Sequence, residues 1–164
     1  MKPGALFIIL VLGLVASGSA AAQDTTKGDP RVARQLDRLG LKYKLTDSGN
    51  YSLSYDLKGG RSQTVYIMGT TEKYNDTEIR ELWSRAGTYD TLPPADVMQT
   101  LLEESGTEKI GFWSIEKSDA GGYIVYFSVK VPVYVRDSDL SSLLELTANV
   151  ADQKEQELFN SDDE

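Results

Sequence analysis

The sequence predicts an α+β fold: an antiparallel sheet of about five to six strands with helices packed on one face. Three observations carry this expectation. Segments with helical apolar spacing follow Asp29-Pro30, Pro93-Pro94 and Asp137-Ser138. Between them run segments whose apolar residues alternate with polar ones, the period of a half-buried strand. Short turns rich in Gly, Asp and Ser join successive alternating segments, and only antiparallel neighbours can be joined so tightly.

The first helix is bounded at both ends. Asp29 supplies a capping oxygen, Pro30 is tolerated at the first helical position, and Gly40 provides the stop. Val32, Leu36 and Leu39 recur along one face between them. Leu41, Tyr43 and Leu45 alternate with Lys42 and Lys44 as a first strand, turned at Asp47-Ser48-Gly49. A second strand follows, with Tyr51, Leu53, Tyr55 and Leu57 on one side and Ser52, Ser54 and Asp56 on the other. Gly59-Gly60 turns into a third strand over 62–70, with Val65 and Ile67 on one face and Tyr66 and Met68 on the other.

The segment Glu78–Ala86 is open to two readings. Ile79, Leu82, Trp83 and Ala86 fit helical spacing, yet a strand of this length is equally compatible. A helix then runs to Ser105 with Val97, Leu101 and Leu102 inward and Gly106 as its stop. The stretch Lys109–Val133 reads as a hairpin about the turn Ser118–Gly122. Pairing Lys117 with Tyr123 sets Ile115 opposite Val125 and Trp113 opposite Phe127. A slip of one residue would set Glu116 and Ser114 there instead, so the first register is preferred. The second strand, Tyr123–Val131, stops at Pro132, which has no N–H for the ladder. The last helix, to about Phe159, carries an apolar stripe of Leu140, Leu143, Leu144, Ala148, Ala151 and Leu158.

Composition bounds the function. The 164 residues hold 25 Asp and Glu against 17 Lys and Arg, for a net charge of −8. Such a balance argues against nucleic acid, whose affinity comes from cations neutralising phosphates, and against an anionic membrane surface. Residues 1–22 have the pattern of a secretory signal peptide. Lys2 precedes a short apolar run, Ala5–Ala16, and small residues precede a cleavage point between Ala22 and Gln23. The run is shorter than the roughly 20 residues of a membrane-spanning helix, so no stable membrane insertion is expected after cleavage. The expected organisation is a signal peptide (1–22), a flexible arm (23–28), an α+β domain (29–159) and an acidic tail (160–164). A periplasmic or secreted location follows, and the absence of Cys means that the core alone must hold the fold.

No catalytic pattern stands out. Without His or Cys, Ser-His-Asp, Cys-His and His or Cys metal sites are excluded. Ser114-Ile115-Glu116-Lys117 matches S-x-x-K, but it lies mid-strand, where Ser114 and Lys117 point to opposite faces. Glu103 and Glu104 are adjacent on a helix and do not face one site. Asp137 and Asp139 sit at a helix start, where acids complement the dipole. No metal site or cofactor is expected, and Trp83 and Trp113 read most simply as core.

RSQTVYIMG (61–69), EIRELWSRAG (78–87), LPPADVMQTLLEES (92–105), KIGFWSI (109–115) and VYFSVKVPV (125–133) together resemble the YbjN-like family. That family shares its fold with type III secretion chaperones. The resemblance spans most of 29–158 and implies a strand for Glu78–Ala86. It also implies a non-enzymatic module that dimerises or binds protein segments. The export signal departs from the cytosolic members.

The expected function is therefore an exported, non-enzymatic binding or chaperone-like module for a protein or peptide partner, which could be a second copy of itself. A structural homo-oligomeric envelope protein without a client is the alternative, and a carboxylate-based hydrolase the more distant one. The expected contact surface is the sheet face that helices leave uncovered. It would carry Ile110 and Phe112 from one strand, Ile124 and Tyr126 from its neighbour, and Tyr66 and Met68 from the third.

Overall fold

The structure is a computed structural model and describes residues 28–159. The expected signal peptide, its cleavage point, the arm up to residue 27 and the acidic tail lie outside those residues. Helix α1 (Pro30–Leu39) opens the described chain, followed by β1 (Lys44–Leu45), β2 (Tyr51–Asp56), β3 (Ser62–Ile67), β4 (Glu72–Tyr74) and β5 (Thr77–Tyr89). Helix α2 (Ala95–Thr107), β6 (Phe112–Lys117), β7 (Tyr123–Pro132) and helix α3 (Asp137–Phe159) complete it. The fold is α+β. One antiparallel sheet runs in the order β1-β2-β3-β5-β7-β6, with β4 pairing β5 beyond the end of β3.

The long strand β5 is the centre of this sheet. It pairs with β7 over most of its length and with β3 and β4 on its other side. The helical spacing of Glu78–Ala86 is thus accidental, and the strand reading holds. The alternation was obscured because the covered positions include Arg80 and Ser84, both buried. Arg80 is satisfied by the Met68 carbonyl and the Asp29 carboxylate. The Ser84 hydroxyl donates to the Thr64 carbonyl at 2.7 Å. Buried polar groups with such partners are tolerated, and they hide a strand from an apolar pattern.

The hairpin has the expected register: Lys117 opposite Tyr123, Ile115 opposite Val125 and Trp113 opposite Phe127. On that face Val65, Ile67, Leu82, Val125, Phe127 and Val129 are sealed beneath Leu140, Leu144, Ala148 and Ala151 of α3. Val32 and Leu36 of α1 close one end. Asp29 caps α1 by accepting from Arg31 N, and Gly40 ends it in the left-handed conformation. At the far end of β5 a register shift lies between Arg85 and Gly87. Gly87 has φ +147°, and the Phe159 ring fills the space a Cβ would need.

Three sequence expectations need correction. The first strand shrinks to Lys44–Leu45, both exposed, because residues 41–43 run unpaired at the sheet edge. In α2 only Leu101 is buried, Val97 is partly so, and Leu102 is 75% exposed. That helix packs beside edge strand β6 rather than over the sheet, where the Ser105 hydroxyl accepts the Trp113 N–H at 2.8 Å. It also continues past Gly106 to Thr107. Finally, the third strand, expected over 62–70, ends at Ile67, and a short strand not foreseen, β4, follows it and pairs with the start of β5.

The covered face also carries charge. Arg61 pairs with Asp152 at 2.6 Å and with Glu155 at 2.9 Å, the latter 1% exposed. The Lys154 ammonium bonds Glu104 at 2.6 Å and lies 5.9 Å from the centre of the Trp113 ring. At the α1 end, the Arg31 guanidinium bridges Asp29 and Glu78, at 2.6 Å and 2.7 Å. Burial pushes the Asp29 carboxyl up, but Arg31 and Arg80 pull it further down, well below the usual carboxylate range. Arg31, with Thr71 beside it, holds Glu78 down at about 2.

The candidate interaction face

Alternation sends every second residue of the strands to the face that α1 and α3 leave bare. Reading across the registers gives one transverse row, Ser52, Tyr66, Trp83, Ser128 and Phe112. The next row holds Arg85, Tyr126 and Ser114, and the one after it Thr88, Ile124 and Glu116. Trp83 is the centre. Its ring stacks on Tyr66 with centroids 4.1 Å apart and planes 14° apart, and it meets Tyr126 edge-on at 4.9 Å. Its indole N–H points to the Met68 sulfur at 3.3 Å. These offset and edge-to-face arrangements are those the ring quadrupole favours.

Ser128 is small and fully buried between Trp83 and its β6 neighbour. Beside it lies a depression of about 250 Å³, lined by Trp83, Tyr126, Met68, Ser128, Asn50 and the two acids Glu81 and Glu116. The Asn50 carboxamide oxygen accepts the Gly69 N–H at 3.0 Å, which fixes that wall. Glu81 is 3.9 Å from the Lys130 ammonium. Glu116 forms no ion pair among the described residues. Its charge raises the Tyr126 phenol pKa, adding to the larger effect of burial, while Arg85 opposes it.

Of the six residues expected here, five lie on this face and are half-buried: Tyr66, Met68, Phe112, Ile124 and Tyr126. Ile110 does not join them in the sheet. Its strand begins only at Phe112, because Gly111 takes φ +96°, with the Phe127 ring and the Ser128 carbonyl filling the space a Cβ would need. Simple alternation from Phe112 back to Ile110 therefore fails, and Ile110 stands in the approach to β6, 48% exposed. The reading of Trp83 as core is also corrected, since it is the middle of the open face. Trp113 is core as expected, edge-on to Phe127 at 5.0 Å.

Among the described residues no group of three or more His, Cys, Asp or Glu side chains converges as a metal would require. Nor is any described helix long and apolar enough to cross a membrane. Glu81 and Glu116 both line the depression beside Trp83.

No family model matches the chain, and no curated protein matches it. Among solved structures, the chain is similar to the crystal structure of YbjN from E. coli, with 10% identity and a TM-score of 0.45. The match covers 77% of this chain and 86% of that one.

Proposed function

We propose that this chain is an exported, non-enzymatic binding or chaperone-like module that holds a protein or peptide partner against the open face of its sheet. The observation that carries the reading is Trp83, wedged between Tyr66 and Tyr126 on a face that no described helix covers. A plain solvent face reads like Ser52 and Ser54 of β2, yet the middle strands place large rings there. Contiguous exposed apolar surface marks interaction sites, and aromatics and Met are the types enriched at interface centres. Phe112 and Ile124 extend the patch, and Glu81, Glu116, Arg85 and Lys130 give it a polar rim. Export rests on the sequence of residues 1–22, which points to the periplasm or secretion.

A second copy of the chain is one partner this surface suits. Acids and bases share the face, so two copies related by a two-fold axis could pair them. Light scattering and crosslinking capture from the native envelope test both forms, using Phe112→Asp and Tyr126→Asp beside wild type. Folded variants that lose self-association or capture support the reading. Folded variants that keep both place the partner surface elsewhere.

A further inference from the structure

On the helix side of the sheet, away from the open face, α1 borders a groove whose charge is the reverse of the chain's. The protein carries −8, yet Arg31, Arg34 and Arg38 share one face of α1 with the buried Gln35. Their spacing, i, i+3, i+4 and i+7, sets side chains one above the other along a helix. The segment 133–135 runs beside them, and together they line a space of about 270 Å³ that no described carboxylate lines. The Gln35 amide ties the two walls, donating to the Val135 carbonyl at 2.9 Å. Arg31 gives its donors to Asp29 and Glu78 and lies 5.9 Å from the centre of the Tyr134 ring. Arg38 gives Nε and one terminal nitrogen to Asp137, both at 2.8 Å. The other terminal nitrogen of Arg38 has no hydrogen-bond partner among the described residues, and Arg34 has no partner there at all. Asp37, the one acid of α1, accepts the Tyr43 hydroxyl at 3.1 Å instead.

We infer that this groove is a second binding site, where Arg34 and Arg38 hold the carboxylate of an acidic peptide segment from a protein partner. The two residues are one helical turn apart, and like charges at that spacing repel. Asp137 offsets Arg38 alone, so an anion beside Arg34 relieves what the chain leaves unbalanced. The planar fork of Arg34 takes both oxygens of a carboxylate, and the spare nitrogen of Arg38 adds a further donor. The rest of the groove suits a peptide better than a lone ion. Its far wall is the Tyr134 ring, 81% exposed, with Val133 and Val135 on either side. From Arg31 to Arg38 the groove follows two turns of helix, about 10 Å, which is the length of about three extended residues. The net charge of the chain does not bar an acidic segment, because charges more than about 8 Å away are largely screened at physiological salt. The groove lies across the sheet from Trp83, so the inference does not depend on the role proposed for the open face.

The test uses a blocked heptapeptide, Gly-Ser-Gly-Glu-Gly-Ser-Gly, and the same peptide with glutamine in place of glutamate. Glutamine keeps the shape and removes the charge. The readout is the main-chain amide resonance of Tyr134, followed together with the Nε–H of Arg34. The expected result is a saturable shift with the glutamate peptide, and an affinity about three- to fivefold lower for the glutamine peptide. Arg34→Gln should weaken the glutamate peptide by a similar factor. Arg34→Lys keeps the charge without the fork and should cost about twofold. Lys117→Gln makes the same change in net charge at the far end of β6 and should leave affinity unchanged. Equal loss in Lys117→Gln would mean only the general field of the protein, and would overturn the inference. Equal binding of the two peptides, or undiminished binding to Arg34→Gln, would overturn it as well. Inorganic phosphate that shifts Tyr134 at as low a concentration as the glutamate peptide would make the groove a site for free anions and overturn the peptide assignment. No shift with either peptide would overturn the site altogether.

Discussion

On one side of the sheet Leu82, Val129 and Phe127 are sealed beneath α3; one residue along the same strands, Trp83, Ser128 and Tyr126 face outward. The covered side is satisfied from within the molecule. Its apolar groups meet Leu144 and Ala148, and even its charges, Arg61 with Asp152 and Glu155, are paired across to the helix. The open side is satisfied only laterally, ring against ring. The comparison separates two uses of aromatic and charged residues in one sheet. Those on the covered face fix the fold. Those on the other face are held in place by neighbours but left with their outer surfaces uncommitted. A sheet face that is ordered without being covered is what the proposed partner role requires.

The sharpest way to break the contrast is to attack the covered face through its charge. Arg61→Met leaves Asp152 and the nearly inaccessible Glu155 beside each other without the guanidinium. Removing one member of such a pair costs about 3–5 kcal/mol. Chemical denaturation should show a midpoint lowered to match. Removing Glu155 as well, in Arg61→Met/Glu155→Leu, should recover part of the loss, since the more deeply buried of the two carboxylates is then gone and Asp152 keeps the Gln156 amide at 2.8 Å. A midpoint unchanged in the single variant would mean that α3 is not held to β3 in this way.

Leu144→Ala probes the apolar part of the same contact. Leu144 is fully buried against the sheet, and truncations of this kind cost about 2–5 kcal/mol, depending on how far the cavity relaxes. A denaturation midpoint within error of wild type would detach α3 from this face and remove the ground for calling the two sides different.

These residues were legible in the sequence, and the open face was legible only in outline. The stripe Leu140, Leu144, Ala148 and Ala151 repeats at helical spacing, so the buried side of α3 is legible from the sequence alone. The Trp113/Phe127 pairing followed from a turn and strict alternation in β7. Trp83 escaped because β5 buries Arg80 and Ser84, so an apolar pattern cannot phase it. The pairing of Tyr66 with Trp83 is also non-local, and no turn fixes its register. Ile110 was misplaced for the opposite reason: alternation was trusted across Gly111, whose positive φ breaks it. The signal available for Trp83 was the strand implied by the family resemblance, which would have set it on the side opposite Leu82.

Acid should loosen the α1 end. Asp29 and Glu78 have folded-state pKa values depressed by Arg31 and, for Asp29, Arg80. A depressed carboxylate contributes stability that is full above its ordinary pKa and is lost as pH falls through the folded value. For Glu78 the window therefore runs from about pH 4.5 down to about 2. Asp29→Asn keeps a capping side chain and removes the charge. Wild type should exceed the variant in stability at neutral pH, and the gap should narrow as pH falls below the ordinary Asp range toward the depressed folded value of Asp29. A gap that stays constant with pH would assign the effect of Asp29 to capping alone.

The smallest expected effect is the most direct measure of order on the open face. Tyr66 and Trp83 stack at 4.1 Å with nearly parallel rings, and aromatic pairs contribute about 0.5–1.5 kcal/mol beyond their area. Each single change to Leu should be mild, because the side chains are only half-buried and Leu keeps apolar contact. The informative quantity is the coupling in the cycle Tyr66→Leu, Trp83→Leu and the double variant, which isolates the pair provided neither change creates a new contact. A coupling of about 0.5–1 kcal/mol, read from denaturation midpoints, means that the indole is fixed before any partner arrives. Affinity for a partner would then be lost in Tyr66→Leu even where Tyr66 makes no contact with that partner, because Trp83 must be reordered on binding. Zero coupling would mean that the rings move independently. The open face would then differ from the covered one in order as well as in cover.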